Sequence, residues 1–187
     1  SYEFRRGGDS LNLPPDRANV AEQTEHNINS GGLKFEWFTR DLKHRLSAYA
    51  SAQHVGRDSY YGTYQDPNAF GTTNDLTAVG GVQYIYRMKK CWFMPADLTV
   101  GAEVNYNHLK DETLAHSRDV DQTVFTYSAF AQNEWKNKYL TFLLGVRMDK
   151  HNLIEKPIFS PRVNLRYNLA SWVSLRMGYV MGFRAPQ

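Results

Sequence analysis

The sequence predicts an all-β fold, an antiparallel up-and-down meander of about 8–9 strands in the wall of a membrane barrel, from three observations. Apolar residues recur at every second position along most of the chain. Short and long connections alternate. All four tryptophans lie beside the short connections.

Period-two alternation marks strands because successive side chains point to opposite faces. Weaker alternation runs through Leu33, Phe35 and Trp37, through Leu46, Ala48, Ala50 and Ala52, and through Leu76, Ala78, Val82, Tyr84, Tyr86 and Met88. Leu98, Val100, Ala102, Val104 and Tyr106 then share one face, with Thr99, Gly101, Glu103, Asn105 and Asn107 on the other. Phe125, Tyr127, Ala129 and Ala131 continue the series. From Leu140, Phe142, Leu144, Val146 and Met148 oppose Thr141, Gly145, Arg147 and Asp149, and Leu143 alone breaks the pattern. The clearest strands come last: Phe159, Pro161, Val163, Leu165 and Tyr167 against Ser160, Arg162, Asn164 and Arg166, then Val173, Leu175, Met177, Tyr179 and Met181 against Ser174, Arg176 and Gly178. A further strand end is expected at residues 1–6. No helical period is long enough for βαβ units.

Short links are predicted at residues 40–43, 136–138 and 168–171, with a middling one at 89–96. Long loops are predicted at 6–29, 57–74 and 108–120, with 150–156 shorter. A meander with tight turns on one rim and long loops on the other gives this order. Trp37, Trp92, Trp135 and Trp172 beside the tight turns form a girdle at the headgroup level, where an indole satisfies both its ring and its N–H. Tyr60, Tyr61, Tyr106 and Phe183 are expected to form a second girdle near the long loops. A charge at the bilayer midplane would cost roughly 2–4 kcal/mol, so Glu103, Arg147, Asp149, Arg162, Arg166, Arg176 and Arg184 are expected to face a lumen.

Composition narrows the function. Twenty-two basic against 19 acidic residues give a net charge of +3, spread without a basic block, which excludes a nucleic-acid footprint. The mean hydropathy of −0.57 offers no apolar run long enough for a spanning helix. One cysteine, Cys91, excludes a disulfide framework and reads as a small hydrophobe at membrane level. The chain opens without a signal peptide and closes without a terminal cap, so it is expected to be a segment of something longer.

The last strands carry a motif pair. Ser160-Pro161-Arg162, then Asn164-Leu165-Arg166-Tyr167, a short turn, and Gly182-Phe183-Arg184-Ala185-Pro186 resemble the barrel of TonB-dependent outer-membrane receptors, in which an "SPR" strand leads into one ending in "GFRAP". The resemblance covers residues 158–187 directly. It implies a 22-stranded barrel in the outer membrane of a Gram-negative bacterium, in contact with outer-membrane lipid, filled by a plug domain and coupled to the TonB complex. The implied function is import of a scarce nutrient of the siderophore, haem, cobalamin or oligosaccharide class, with no enzyme activity and no cofactor. On this reading residues 1–187 are a partial barrel segment lacking the plug and the C-terminal barrel strands. Pro161, Arg162, Arg184 and Pro186 would be structural, with Arg184 toward the lumen.

Ligand residues should come from the long-loop rim. Arg57, Tyr60, Tyr61 and Tyr64 mix aromatic and hydrogen-bonding groups suited to a small-molecule or oligosaccharide ligand; the same residues also read as a tyrosine-rich strand end running into a solvated loop. His108, Asp111, Glu112 and His116 are weak metal candidates, since their spacing matches no metal motif and a charged loop accounts for them. Gly31-Gly32 and Gly80-Gly81 read as bulges or kinks. Two alternatives stay open: a complete small 8-stranded outer-membrane or lipocalin-like binding barrel, and a barrel enzyme, for which no Ser, His and acid cluster can be picked out.

Overall fold

The computed structural model describes residues 2–7, 13–113 and 118–182. One antiparallel sheet of nine strands runs in strict chain order from β1 to β9. The strands are β1 (Tyr2–Gly7), β2 (Val20–Phe38), β3 (His44–Thr63), β4 (Phe70–Cys91), β5 (Met94–Thr113), β6 (Arg118–Lys136), β7 (Leu140–His151), β8 (Ile158–Ala170) and β9 (Val173–Val180), with a 3₁₀ turn at Pro15–Arg17. The predicted meander and strand count hold. Among the described residues β1 and β9 are the sheet's two edges and do not pair with each other, so a closed 8-stranded barrel is not formed.

The long loops are corrected. Residues 20–29, 57–63 and 108–113 are strand, and β2 to β6 each run 19–22 residues. At about 3.3 Å per residue such a strand is roughly twice the 9–11 residues that cross a bilayer. Alternation fails to mark the extra length because both of its faces are polar. The middling link at 89–96 is a two-residue turn, Trp92-Phe93.

The chain forms two compact units. The first comprises Ser1–Gly32, Ser51–Ala78 and Tyr106–Val124, the second Leu33–Ala50, Val79–Asn105 and Phe125–Gln187. Each has a small buried cluster around one aromatic ring. In the first unit Ala18, Ala21 and Ala69 pack with Tyr60, which is 1% exposed. Its hydroxyl donates to the Asp66 carbonyl at 2.9 Å. In the second, Met94 and Ala96 pack with Trp135, which is 4% exposed, and Met88, Cys91, Leu140 and Phe142 close the cluster. The indole N–H donates to the Cys91 carbonyl at 3.1 Å. Trp135 stacks with Trp92 at 5.6 Å and with Phe142 at 5.5 Å. That stacking holds Trp92 at φ 60°, a backbone conformation otherwise left to glycine.

In the second unit the register fixes which residues share a face. Leu144 pairs with Val163, Met148 with Phe159 and Leu165 with Met177, so the apolar residues of β7, β8 and β9 fall together. They are exposed: Phe159, Leu175, Met177 and Tyr179 all present more than half their surface. Leu143, the one exception to the alternation, is buried on the polar face.

The four tryptophans sit at the tight turns as expected, but they do not form a uniform belt. Trp37, Trp92 and Trp172 are exposed, whereas Trp135 is the buried anchor beneath Trp92. The second girdle is not formed as predicted. Tyr60 is enclosed, Tyr61 follows it onto the opposite face, and Phe183 lies outside the described residues.

Candidate functional site in the polar ladders

Strand parity brings polar side chains of neighbouring strands into line, and each unit carries one such ladder. In the first unit, Arg57 of β3 donates from Nη2 to Thr73 Oγ1 at 2.9 Å, and Thr73 donates onward to Asp111 Oδ1 at 2.6 Å. Arg57 and Asp111 lie 3.8 Å apart as an ion pair. Asp111 is only 3% exposed, so this charge is held by its cation and a hydroxyl instead of by bulk water. Beside it Asn107 Nδ2 donates to Asp75 Oδ1 at 2.6 Å and to Thr77 Oγ1 at 2.9 Å. Asp, Asn, Thr and Arg in fixed rotamers offer directed donors and acceptors, the equipment for recognising a polar ligand.

The second unit's ladder is built around charged groups. Tyr49 donates its hydroxyl to Glu103 Oε2. Arg147 Nη2 donates to Glu103 Oε1 at 3.2 Å and to Ser128 Oγ at 2.8 Å, while its Nε donates to Asp149 Oδ1 at 2.8 Å. Ser128 donates to Asp149 at 2.5 Å and Asn105 to Glu103 at 3.0 Å. Gly81 makes this possible, because a Cβ there would fall 2.6 Å from the Tyr49 ring. The Gly80-Gly81 pair therefore serves a close approach within β4. Sequence reading placed Glu103, Arg147 and Asp149 on the polar face. It also placed Asn107 there, and missed Tyr49, Thr73, Asp75 and Ser128, which only cross-strand register reveals.

The four proposed ligand residues do not converge. Arg57 belongs to the first ladder. Tyr60 is core. Tyr61 is partly exposed, with its backbone N–H on the Ala69 carbonyl at 3.1 Å. Tyr64 stands in the β3–β4 turn at φ 57°, with Gln65 at φ 62°. The metal candidates separate as well. His108 and Glu112 share one face of β5, where His108 Nε2 meets Asp121 Oδ1 at 3.0 Å and Glu112 meets Lys110 at 2.7 Å. Asp111 lies on the other face, and His116 is outside the described residues. No group of three or more metal-ligating side chains is assembled among the described residues.

Of the structural motif, Pro161 pairs with Val146 and Arg162 with Gly145. The Pro161 carbonyl accepts from Met181 N at 3.1 Å. Its missing N–H therefore falls beside the end of β9, where a lost ladder bond matters least. Arg184 and Pro186 lie outside the described residues.

Residues 2–187 match the family described as TonB dependent receptor-like, beta-barrel. The chain belongs to this TonB-dependent receptor family. Its fold is shared with the siderophore receptor PirA from Acinetobacter baumannii, at a TM-score of 0.72 and 15% identity over 90% of this chain. The chain spans 26% of that receptor's length. No curated protein sequence matches this one. The predicted family is thereby established, and its barrels are receptors of the outer membrane.

Proposed function

We propose that this chain is a segment of a TonB-dependent receptor barrel in a Gram-negative outer membrane, and that the whole receptor imports a scarce nutrient. One observation carries the reading beyond the family. On a single face of each long strand, apolar residues give way to polar ones. Leu33, Phe35 and Trp37 of β2 share their parity with Asn27 and Asn29; Ala50 and Ala52 of β3 with His54 and Asp58; Leu76 and Ala78 of β4 with Thr72 and Asn74; Val104 and Tyr106 of β5 with His108; and Phe125 and Tyr127 of β6 with Asp119 and Asp121. A surface that meets hydrocarbon and then water has this pattern.

The opposite face of the first unit is the ligand-recognising wall in this reading, with Arg57, Thr73, Asp75, Asn107 and Asp111 as its fixed polar groups. A hydroxyl-rich ligand, siderophore or oligosaccharide, matches these donors and acceptors. The plug domain and the TonB complex are the receptor's partners in this reading.

The test is ligand affinity of the full-length receptor, screened against iron-loaded siderophores, haem, cobalamin and oligosaccharides. Asn107→Ala is expected to weaken the bound ligand by about tenfold, the loss of roughly one directed hydrogen bond to a polar group. Unchanged affinity for the Asn107→Ala and Thr77→Val variants would remove this wall from the site.

A further inference from the structure

A groove of about 490 Å³ opens at the tight-turn end of the second unit, between the β6–β7 and β8–β9 turns. Asn168 ties these turns together. Its backbone N–H donates to the Tyr139 carbonyl at 2.8 Å and its Nδ2 to the Lys138 carbonyl at 3.2 Å. Its Oδ1 accepts from Arg166 Nε at 3.1 Å, and Ser174 Oγ accepts from the same nitrogen at 3.3 Å. The guanidinium is thus fixed through Nε, while neither Nη group donates to a described residue. Lys138 adds a second cation, its Nζ 5.5 Å from the centre of the Tyr139 ring. Arg176, directly opposite Arg166 in the ladder, adds a third charge of the same sign. Among the described residues no carboxylate lies within ion-pair distance of these three, and Glu134 lines the adjoining groove without reaching either arginine. The other wall is apolar. Leu169 and Trp172 present 55% and 84% of their surface, and Val173 begins the β9 row that continues through Leu175 and Met177.

The geometry points to a seat for the headgroup of an anionic phospholipid in the leaflet on the tight-turn side. The inference rests on the reading that the apolar face of β7 to β9 meets hydrocarbon. A phosphodiester fits the cations, since the free Nη pair of Arg166 forms a fork for two phosphate oxygens and the Lys138 ammonium supplies a point charge. The exposed Tyr139 and Trp172 rings suit the level at which acyl chain gives way to headgroup. The two walls together select the occupant. A neutral headgroup would leave three like charges uncompensated, and a small soluble anion would leave Leu169, Trp172 and Val173 in water. The long-range field agrees: the second unit carries 16 basic against 7 acidic residues, whereas the first carries 6 against 12. Anions are therefore drawn to the unit that holds this groove.

Native mass spectrometry tests this on the intact receptor, purified in neutral detergent and titrated with phosphatidylglycerol or phosphatidylcholine of the same acyl chains. The receptor is expected to retain phosphatidylglycerol about tenfold better, and Lys138→Gln with Arg166→Gln to abolish that preference. Lys138→Arg with Arg166→Lys, which conserves the charge, should keep most of it. Glycerol 3-phosphate, which has the phosphate without the chains, should not compete at equal concentration. Heat-modifiable migration of each variant reports that the barrel has formed. Equal retention of the two lipids by the wild type overturns the headgroup seat alone. So does a preference that survives loss of both cations, one lost equally in the charge-conserving pair, or displacement by glycerol 3-phosphate. A nitroxide on Val163→Cys, in the apolar face of β8, separates the underlying reading. If in lipid vesicles it is relaxed more by a water-soluble nickel complex than by oxygen, the lipid-facing assignment falls and the headgroup seat falls with it.

Discussion

The two units build the same kind of anchor, a buried aromatic ring whose polar tip donates to a main-chain carbonyl, but they pack it in different company. Tyr60 of the first unit sits among three alanines with a single ring, Phe70, edge-on at 4.8 Å. Trp135 of the second stacks on Trp92, Phe93 and Phe142 and touches Met94 and Ala96. The first unit's surroundings are polar on both faces of its strands, and its long ladders are satisfied by backbone hydrogen bonds together with Asp, Asn and Thr. The second unit keeps one face for hydrocarbon and concentrates charge on the other. The sheet is continuous in its pairing, yet side-chain chemistry changes along its strands. Solvent, not backbone geometry, therefore dictates which residues each stretch of strand carries.

Truncation of the anchors sharpens that comparison most. Trp135→Ala removes the ring that supports Trp92 in its left-handed conformation, and should destabilise the receptor by about 3–5 kcal/mol. Tyr60→Ala should cost less, because its ring packs on one other ring, Phe70, and on alanines, where Trp135 stacks with three rings. Equilibrium denaturation of the folded receptor in detergent checks both. Equal losses would mean that the two clusters are energetically alike despite their different packing.

A charge placed on one face of the strands tests the change of solvent itself. Leu144→Arg, in the apolar face of β7, is expected to cost roughly 2–4 kcal/mol when the receptor folds into lipid vesicles. Asn74→Arg, on the face of β4 assigned to water, should cost less than about 1 kcal/mol. The difference should shrink when folding is measured with shorter-chain lipids, whose thinner hydrocarbon places Leu144 nearer the interface. Similar costs at both positions would break the assignment of the apolar face to lipid.

The sequence was legible where the two faces of a strand meet different solvents. β7, β8 and β9 were readable residue by residue, down to Leu143 as the odd position, because hydrocarbon on one side forces alternation. The first unit was illegible for the converse reason. Residues 57–63 of β3 mix Arg57, Asp58, Tyr60 and Tyr61 with no period and predict a loop, although they are regular strand. Parity alone placed Glu103, Arg147 and Asp149 correctly, since each follows an apolar neighbour. The ladder through Arg57, Thr73 and Asp111 needed the register between three strands, which no single stretch of sequence encodes. Tyr60 was misplaced because a tyrosine near a strand end looks the same whether it lies in a membrane girdle or beneath a turn.

The smallest expected effect concerns a tight turn of the second unit, where the comparison predicts stability from local polar contacts and not from apolar packing. In the turn between β2 and β3, Asp41 accepts from the Thr39 hydroxyl at 2.6 Å and from Lys43 N at 3.2 Å, with the Lys43 ammonium at 3.0 Å. The Thr39 hydroxyl bond, then the Lys43 contacts, hold the Asp41 carboxyl well below the ordinary carboxylate range, and Asp41 in turn raises the Lys43 ammonium. A carboxyl depressed in the folded state stabilises it fully above the unfolded value near 4 and loses that contribution as pH falls through the folded value. Acidification below about pH 4 should therefore lower the melting temperature of the wild type more steeply than that of Asp41→Asn, which has no proton to take up. The two should run parallel above pH 5, offset slightly, since the turn is exposed and its ion pair is screened by water. Parallel curves below pH 4 would show that the turn holds its shape without the charge, leaving the Leu42 backbone at φ 54° to be fixed by the hydrogen bond from Leu42 N to the Thr39 carbonyl.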